Sequence, residues 1–213
     1  APVAPAYNSD PAIIVDQSNV MWVIWRYYNG ANPSILYARS SADGVTWSDR
    51  VEILSTGSVA NSSPSLYWDG SQYVMWTVNA TASPYKLEKR TCATINGVWS
   101  APVQKAMLGQ PFFSDLIHDI WHIRVYQRGG TLCAFVITHD AVSPLWYARS
   151  SDSGETWRFA RMPLLQVSAA GWDSGTLYTC AAVPTETGWD LWYSGQTAGP
   201  NTWHIGRTTV IGW

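Results

Sequence analysis

Nine residues of this 213-residue chain carry side chains from which a polar ligand site can be built: Asp10, His118, Asp119, Trp121, His122, Arg124, Trp172, Asp173 and Tyr178. They combine carboxylates, imidazoles, a guanidinium, indoles and a phenol. A sugar is held by such a set, its apolar face on an aromatic ring and its hydroxyls on planar polar groups. Two carboxylates on either side of a glycosidic bond would add acid/base chemistry, at separations of roughly 5 Å for retention or 6.5–9.5 Å for inversion. Asp10 would then act with Asp119 or Asp173. Glutamate is scarce, being limited to Glu52, Glu88, Glu155 and Glu186, and none of these falls in the same runs. His118 and His122 lie four apart, roughly 13 Å along a strand at ~3.3 Å per residue, too far to share a metal ion. No metal site is expected from them.

Composition narrows the classes. Charged residues make up 13% and the net charge is −2, which gives no electrostatic case for nucleic acid or an anionic membrane surface. No apolar run is long enough for a spanning helix, so no membrane insertion is expected. The opening APVAPAYNSD lacks the charged and apolar regions of a signal peptide and reads as a mature N-terminus, a virion protein or a trimmed chain. Cys92, Cys133 and Cys180 are too few and scattered for a disulfide framework and read as buried thiols on strands. Fourteen Trp and 11 Tyr imply either a core stapled by indoles or a surface that stacks on flat ligands.

The elements that must position these residues are repeats. Ile35-LYARSSADGVTW-Ser48 and Leu145-WYARSSDSGETW-Arg158 are near copies, with a worn copy at Leu87-EKRTCATINGVWSAPV103 and a fourth beginning Trp203-HIGRTT209. Arg39, Arg90, Arg149 and Arg207 recur at steps of 51, 59 and 58 residues. Each copy is preceded by two further strand-like runs, such as PAIIVD and VMWVIWRYY in the first and SPSLYWDG and YVMWTVN in the second. Asp69-Gly70, Gly129-Gly130, Asp43-Gly44 and Asn96-Gly97 mark hairpin turns that need φ > 0. Runs rich in Val, Ile, Tyr, Trp and Thr without helical periodicity complete the pattern.

Units of this length with four short strands are blades. The expected fold is all-β, a single β-propeller domain over 1–213. It has four antiparallel repeat units of about 50–59 residues, at roughly 8–55, 61–104, 118–166 and 173–213. Residues 1–7 are expected to close the ring as an outermost strand on the last blade, which removes an exposed edge. A five-bladed ring is the alternative.

Ser150-Ser-Asp152-Ser-Gly154-Glu-Thr156-Trp157 resembles the Asp-box of sialidases and other propellers, and Asp43, Gly44 and Trp47 form a variant of it. The resemblance implies structural roles. The aspartate accepts from turn N–H groups, the glycine takes a left-handed conformation and the tryptophan fills the gap between blades. At the level of the whole blade, "S-P-S-x-x-x-D-G-x-x-Y-x-M-W" followed by "Y-A-x-S-x-D-G-x-x-W" is similar to the five-bladed glycosidases of the arabinanase, β-xylosidase and invertase type. It is also similar to propellers of bacterial and phage surface proteins. That likeness implies a first carboxylate at Ser9-Asp10-Pro11. At Ser63-Pro64-Ser65 this sequence has serine where the family has an aspartate, and no glutamate stands where the family has its acid. A channel calcium ion is the one cofactor the resemblance admits. A sialidase would need three inner-strand arginines, and only Arg124 is so placed.

Without the acid, the expectation is a non-catalytic propeller that recognises a glycan or cell-surface carbohydrate. It would belong to a bacterial or phage adhesion apparatus, extracellular or virion-associated, and could form part of a larger assembly. The alternatives are a glycoside hydrolase working through Asp10 with Asp119 or Asp173, and a structural virion or scaffold propeller. The latter would present the loops at 28–34, 55–62, 104–118, 140–144 and 166–174.

Overall fold

The structure is a computed structural model that describes residues 7–28, 34–55, 62–105, 119–139, 143–199 and 202–211. The described residues form strands and no helix, in four antiparallel sheets that are the blades of a β-propeller. Each sheet is a meander built from one sequence repeat. The chain divides into two compact units, Ala1–Lys105 and Ala106–Trp213.

In the first unit, β1 (Tyr7–Val15), β2 (Met21–Tyr28), β3 (Ile35–Ser41) and β4 (Val51–Ser55) make one sheet. The second sheet comprises β5 (Ser62–Trp68), β6 (Tyr73–Asn79), β7 (Lys86–Cys92) and β8 (Val103–Lys105). The core lies between them: Ile24, Leu36 and Ala38 pack with Leu66, Tyr73 and Met75. Each such fully buried aliphatic side chain contributes roughly 1.5–3 kcal/mol. Strands β1 and β5 run side by side, and the Tyr73 hydroxyl accepts from the Gln17 amide at 3.1 Å.

In the second unit, β9 (Asp119–Arg128), β10 (Thr131–His139), β11 (Leu145–Ser150) and β12 (Arg158–Phe159) form one sheet. The other has three described strands, β13 (Thr176–Pro184), β14 (Gly188–Gln196) and β15 (Trp203–Ile211). Here the core is aromatic, with Phe135, Tyr147 and Trp189 packed around Leu145, Leu177 and Leu191. Trp76, Trp157 and Trp189 are fully buried, so many of the indoles are core. The three cysteines are buried free thiols on β7, β10 and β13.

Two local expectations need correction. Tyr7 opens β1 and pairs with Tyr28, so it belongs to the first strand of the first sheet instead of an outermost strand on the last. The rest of the anticipated closing segment, 1–6, lies outside the described residues. Gly129 and Gly130 both have positive φ, as their two-residue turn demands. Gly97 does not, and its reason for being glycine is space: a Cβ there would sit 2.7 Å from Thr94 Oγ1 and 2.8 Å from Cys92 Sγ.

The two similar turns are held by their aspartates. Asp43 Oδ1 accepts from the amides of Val45 and Thr46 at 2.8 and 2.7 Å. Asp152 Oδ1 accepts from the Thr156 amide at 2.9 Å, and its Oδ2 takes the Thr156 hydroxyl at 2.5 Å. The following Trp157 is buried and Trp47 half-buried. The Thr46 and Val45 amides hold Asp43 down at about 2, and the Thr156 hydroxyl and amide lower Asp152 further. Both values fall below the ~3.9 of an unfolded aspartate. Their contribution is therefore complete above about pH 4 and is lost as pH falls from there toward 2. Urea midpoints measured from pH 5 to pH 2 should drop in that window, and Asp152→Asn should make the drop shallower. An unchanged slope would mean that the turn carboxylates do not couple to global stability.

Candidate functional site

Every blade-opening strand is broken near its start by a bulge. The register slips between Ser9 and Ala12 in β1, Ser62 and Ser65 in β5, Ile120 and His122 in β9, and Leu177 and Cys180 in β13. Bulges re-aim side chains and gather next to functional sites. The residues they re-aim are Asp10, Ser63, Trp121 and Tyr178, three of which were singled out from sequence.

In the first unit, Asp10 is 2% exposed and has φ of 55°, a left-handed conformation that aspartate tolerates better than most residues. Ser63, its counterpart in β5, has the same φ of 55°. The Asp10 carboxylate is approached by Arg26 Nε at 3.1 Å and accepts from the Ser63 amide at 3.3 Å. Arg26 Nε also donates to Ser9 Oγ at 3.0 Å. The carboxylate is thus fixed by charge and by the neighbouring blade. Beside it lies a cavity of about 320 Å³ lined by Asn8, Ser9, Pro11, Val23 and Trp25, whose indole donates to Asn8 Oδ1 at 3.0 Å. Arg26, Asn8 and Trp25 were missed from sequence, and Ser63 was noted only as a serine where the resembling family has an aspartate. The shared x-Pro after Asp10 and Ser63 was the available signal for the bulges.

In the second unit, alternation on β9 sends His122, Arg124 and Tyr126 to one face, opposite Tyr178, Cys180 and Ala182 of β13. The His122 and Tyr178 rings lie 4.2 Å apart. The Ala182 amide donates to the Tyr126 hydroxyl at 2.8 Å. Burial pushes the Cys180 thiol up to about 12, an effect the nearby Arg124 charge partly offsets. His122 and Arg124 are themselves buried. Trp121 meets Tyr178 edge-on at 6.3 Å, and Tyr178 meets Trp203 edge-on at 5.4 Å. Trp203 is 47% exposed, so this aromatic row ends at a surface on which a sugar face can stack.

Trp172 and Asp173 occupy a different setting. Trp172 stacks on Tyr193 at 5.5 Å and lies over Gly206, where a Cβ would come within 2.6 Å of its ring. Asp173 is buried, packs on Gly195 and accepts from the Tyr193 hydroxyl at 3.0 Å. Both side chains are packing elements of the last sheet. Asp119 is half-buried at the first position of β9, opposite His139. His118 lies outside the described residues. Glu88 is buried and ion-paired to Arg90 at 2.8 Å; Glu52, Glu155 and Glu186 are exposed. Among the described residues no three His, Cys, Asp or Glu side chains gather as a metal-ligand set.

No protein-family model and no curated protein matches this sequence. Solved structures do. A glycosyl hydrolase from Bacteroides ovatus superposes with a TM-score of 0.70 at 16% identity, over 96% of this chain and 66% of its own. The chain shares their fold. An endo-arabinase from Bacteroides thetaiotaomicron gives 0.71 at 16% identity, over 95% of this chain and 75% of its own. A GH32 β-fructofuranosidase from Bombyx mori gives 0.69 at 14%, over 95% of this chain and 46% of its own. This chain therefore spans about two-thirds of the first of these and less than half of the last.

Proposed function

We propose that this chain is a glycoside hydrolase acting on glycans through carboxylates, with Asp10 as the first of them. The observation that carries the reading is Asp10. It is a buried carboxylate, re-aimed by a bulge on the first strand and fixed by Arg26 and the Ser63 amide. The sequence-based expectation of a non-catalytic adhesion propeller is corrected here. The solved structures that share the fold are named as a glycosyl hydrolase, an endo-arabinase and a β-fructofuranosidase, and the catalytic alternative replaces it.

In this reading a carboxylic acid gives its proton to the glycosidic oxygen as the bond to the anomeric carbon breaks. Asp10 either bonds to that carbon until water displaces it or takes a proton from the attacking water. In both cases water oxygen ends on the anomeric carbon and the leaving sugar gains a hydroxyl. Asp173 is set aside as the acid because its carboxylate is buried and accepts from the Tyr193 hydroxyl. Within the second unit, the Trp121, Tyr178 and Trp203 row offers an apolar surface on which a sugar ring can stack.

The test is release of reducing ends from a polysaccharide panel including arabinan, xylan and fructan. Asp173→Asn should lower the melting temperature more than the rate. Absence of hydrolysis across the panel would overturn the proposal.

A further inference from the structure

The near-copied repeats provide an internal comparison that isolates a second site on the third blade. In the first blade Glu52 stands opposite Tyr37, and Arg50 lies over the Tyr37 ring at 4.5 Å. In the third blade the position opposite Tyr147 is Ala160, whose amide donates to the Tyr147 carbonyl at 2.9 Å. The carboxylate has become a methyl group. One step along, Arg149 and Arg158 are directly opposed across β11 and β12, and like charges so placed repel. Two of the other recurring arginines have carboxylates to meet: Arg90 has Glu88 at 2.8 Å and Arg207 has Asp190 at 2.6 Å. Neither Arg149 nor Arg158 has an ion-pair partner among the described residues.

These two guanidinium groups line a cavity of about 420 Å³ with Thr131, Tyr147, Ser151 and Phe159, a size ordinary for small-ligand sites. Tyr147 and Arg149 alternate along β11 and so share a face with Ala160 and Arg158 opposite them. The cavity offers two planar cationic forks, the aliphatic hydroxyls of Thr131 and Ser151 and an aromatic wall. That combination suits an oxyanion, because guanidinium forks pair with carboxylate or sulfate oxygens through two N–H donors each. A bound anion would also relieve the repulsion that the sheet register imposes.

We propose that this cavity binds an oxyanion, a carboxylate or sulfate group carried on an acidic glycan chain. The glycan source rests on the hydrolase reading; the oxyanion chemistry does not. The site would make the protein prefer acidic over neutral glycans without any part in the bond-breaking step.

Arginine side-chain NMR resonances of the full chain, titrated with sodium sulfate, tetragalacturonate and neutral xylotetraose, test this. The expected result is saturable shifts of the Arg149 and Arg158 Nε–H signals with tetragalacturonate and none with xylotetraose. Arg158→Gln should weaken that binding at least tenfold, and Arg39→Gln, the matching position in the first blade, should leave it unchanged. Binding of sulfate but not tetragalacturonate would overturn the glycan source and leave a free-anion site. Equal affinity in wild type, Arg149→Gln and Arg158→Gln, or no shift with either anion, would overturn the site. Running the titration on Asp10→Asn separates the two readings. Anion binding that persists there stands whether or not the chain hydrolyses glycans, and hydrolysis by Arg158→Gln stands whether or not the anion binds.

Discussion

Asp10→Asn should reduce glycan hydrolysis by about 10³-fold or more, at the upper end of what one positioned carboxylate contributes. The substitution is close to isosteric, and asparagine tolerates the left-handed backbone that φ of 55° imposes. The amide oxygen can still accept from the Ser63 N–H, as the carboxylate does at 3.3 Å. What disappears is the negative charge, which both the chemistry and Arg26 require. The Arg26 side chain is 12% exposed and its Nε sits 3.1 Å from the carboxylate. Removing one partner of such a pair costs up to about 3–5 kcal/mol when the other charge is fully buried. The partial exposure of Arg26 puts the cost below that range. A fall in melting temperature is therefore expected beside the loss of rate, and the two must be separated. Asp10→Gly supplemented with azide or formate does so, because a small anion can enter the vacated space and act in place of the carboxylate. Rescue of cleavage in a folded variant assigns Asp10 to the reaction. A folded Asp10→Asn variant that turns over at the wild-type rate would remove Asp10 from the mechanism.

The second large effect concerns stability alone. Arg90→Met should lower it by about 3–5 kcal/mol, because Glu88 would be left as an unpaired charge in a dry interior. The pair is buried, at 2% and 3% exposure, and every arm of it is engaged. Arg90 Nη2 meets Glu88 Oε2 at 2.8 Å and Nη1 donates to Thr77 Oγ1 at 2.8 Å. Asn79 Nδ2 donates to Glu88 Oε1 at 2.7 Å. For a chain of this size the loss corresponds to a fall in melting temperature of roughly 6–20 °C. The double variant Glu88→Leu/Arg90→Met should recover most of it, since apolar replacement of a whole buried pair is often neutral or better. Thermal denaturation of the two single variants and the double variant closes the cycle. A single-variant shift within about 2 °C of wild type would show that water reaches the pair.

These two sites differ in how far the residues announced them. Asp10 was visible as the carboxylate of Ser9-Asp10-Pro11 at the opening of the first strand. Its clamp was not, because Arg26 comes from β2 and the Ser63 amide from the next blade. Arg90 was visible as one of four arginines in repeat register, a spacing open to a residue that stacks on a blade tryptophan or one that bridges blades. Arg207 behaves in the first way, lying 5.3 Å from the Trp192 ring. Arg90 does not, because the residue two places before it is Glu88, where both near copies have tyrosine, Tyr37 and Tyr147. That single replacement turns the arginine inward.

Trp172 shows the converse. An indole beside an aspartate reads as a sugar platform in one dimension. Its ring instead lies on Gly206 and Tyr193, and the two glycines that make room for Trp172 and Asp173, Gly195 and Gly206, are more than 20 residues away in the chain.

What the sequence determined by itself was the set of short-range regularities: strand alternation, hairpin turns, a repeat of 51 to 59 residues and hence four β-sheets of propeller type. Those features depend on neighbours within one blade, where spacing along the chain dictates spacing in the sheet. Only the tertiary structure decided which polar groups are neutralised, which indoles are covered and which groups clamp Asp10. Each of those outcomes depends on burial and on partners from other strands, and electrostatic and packing energies are set by those distances, not by order along the chain.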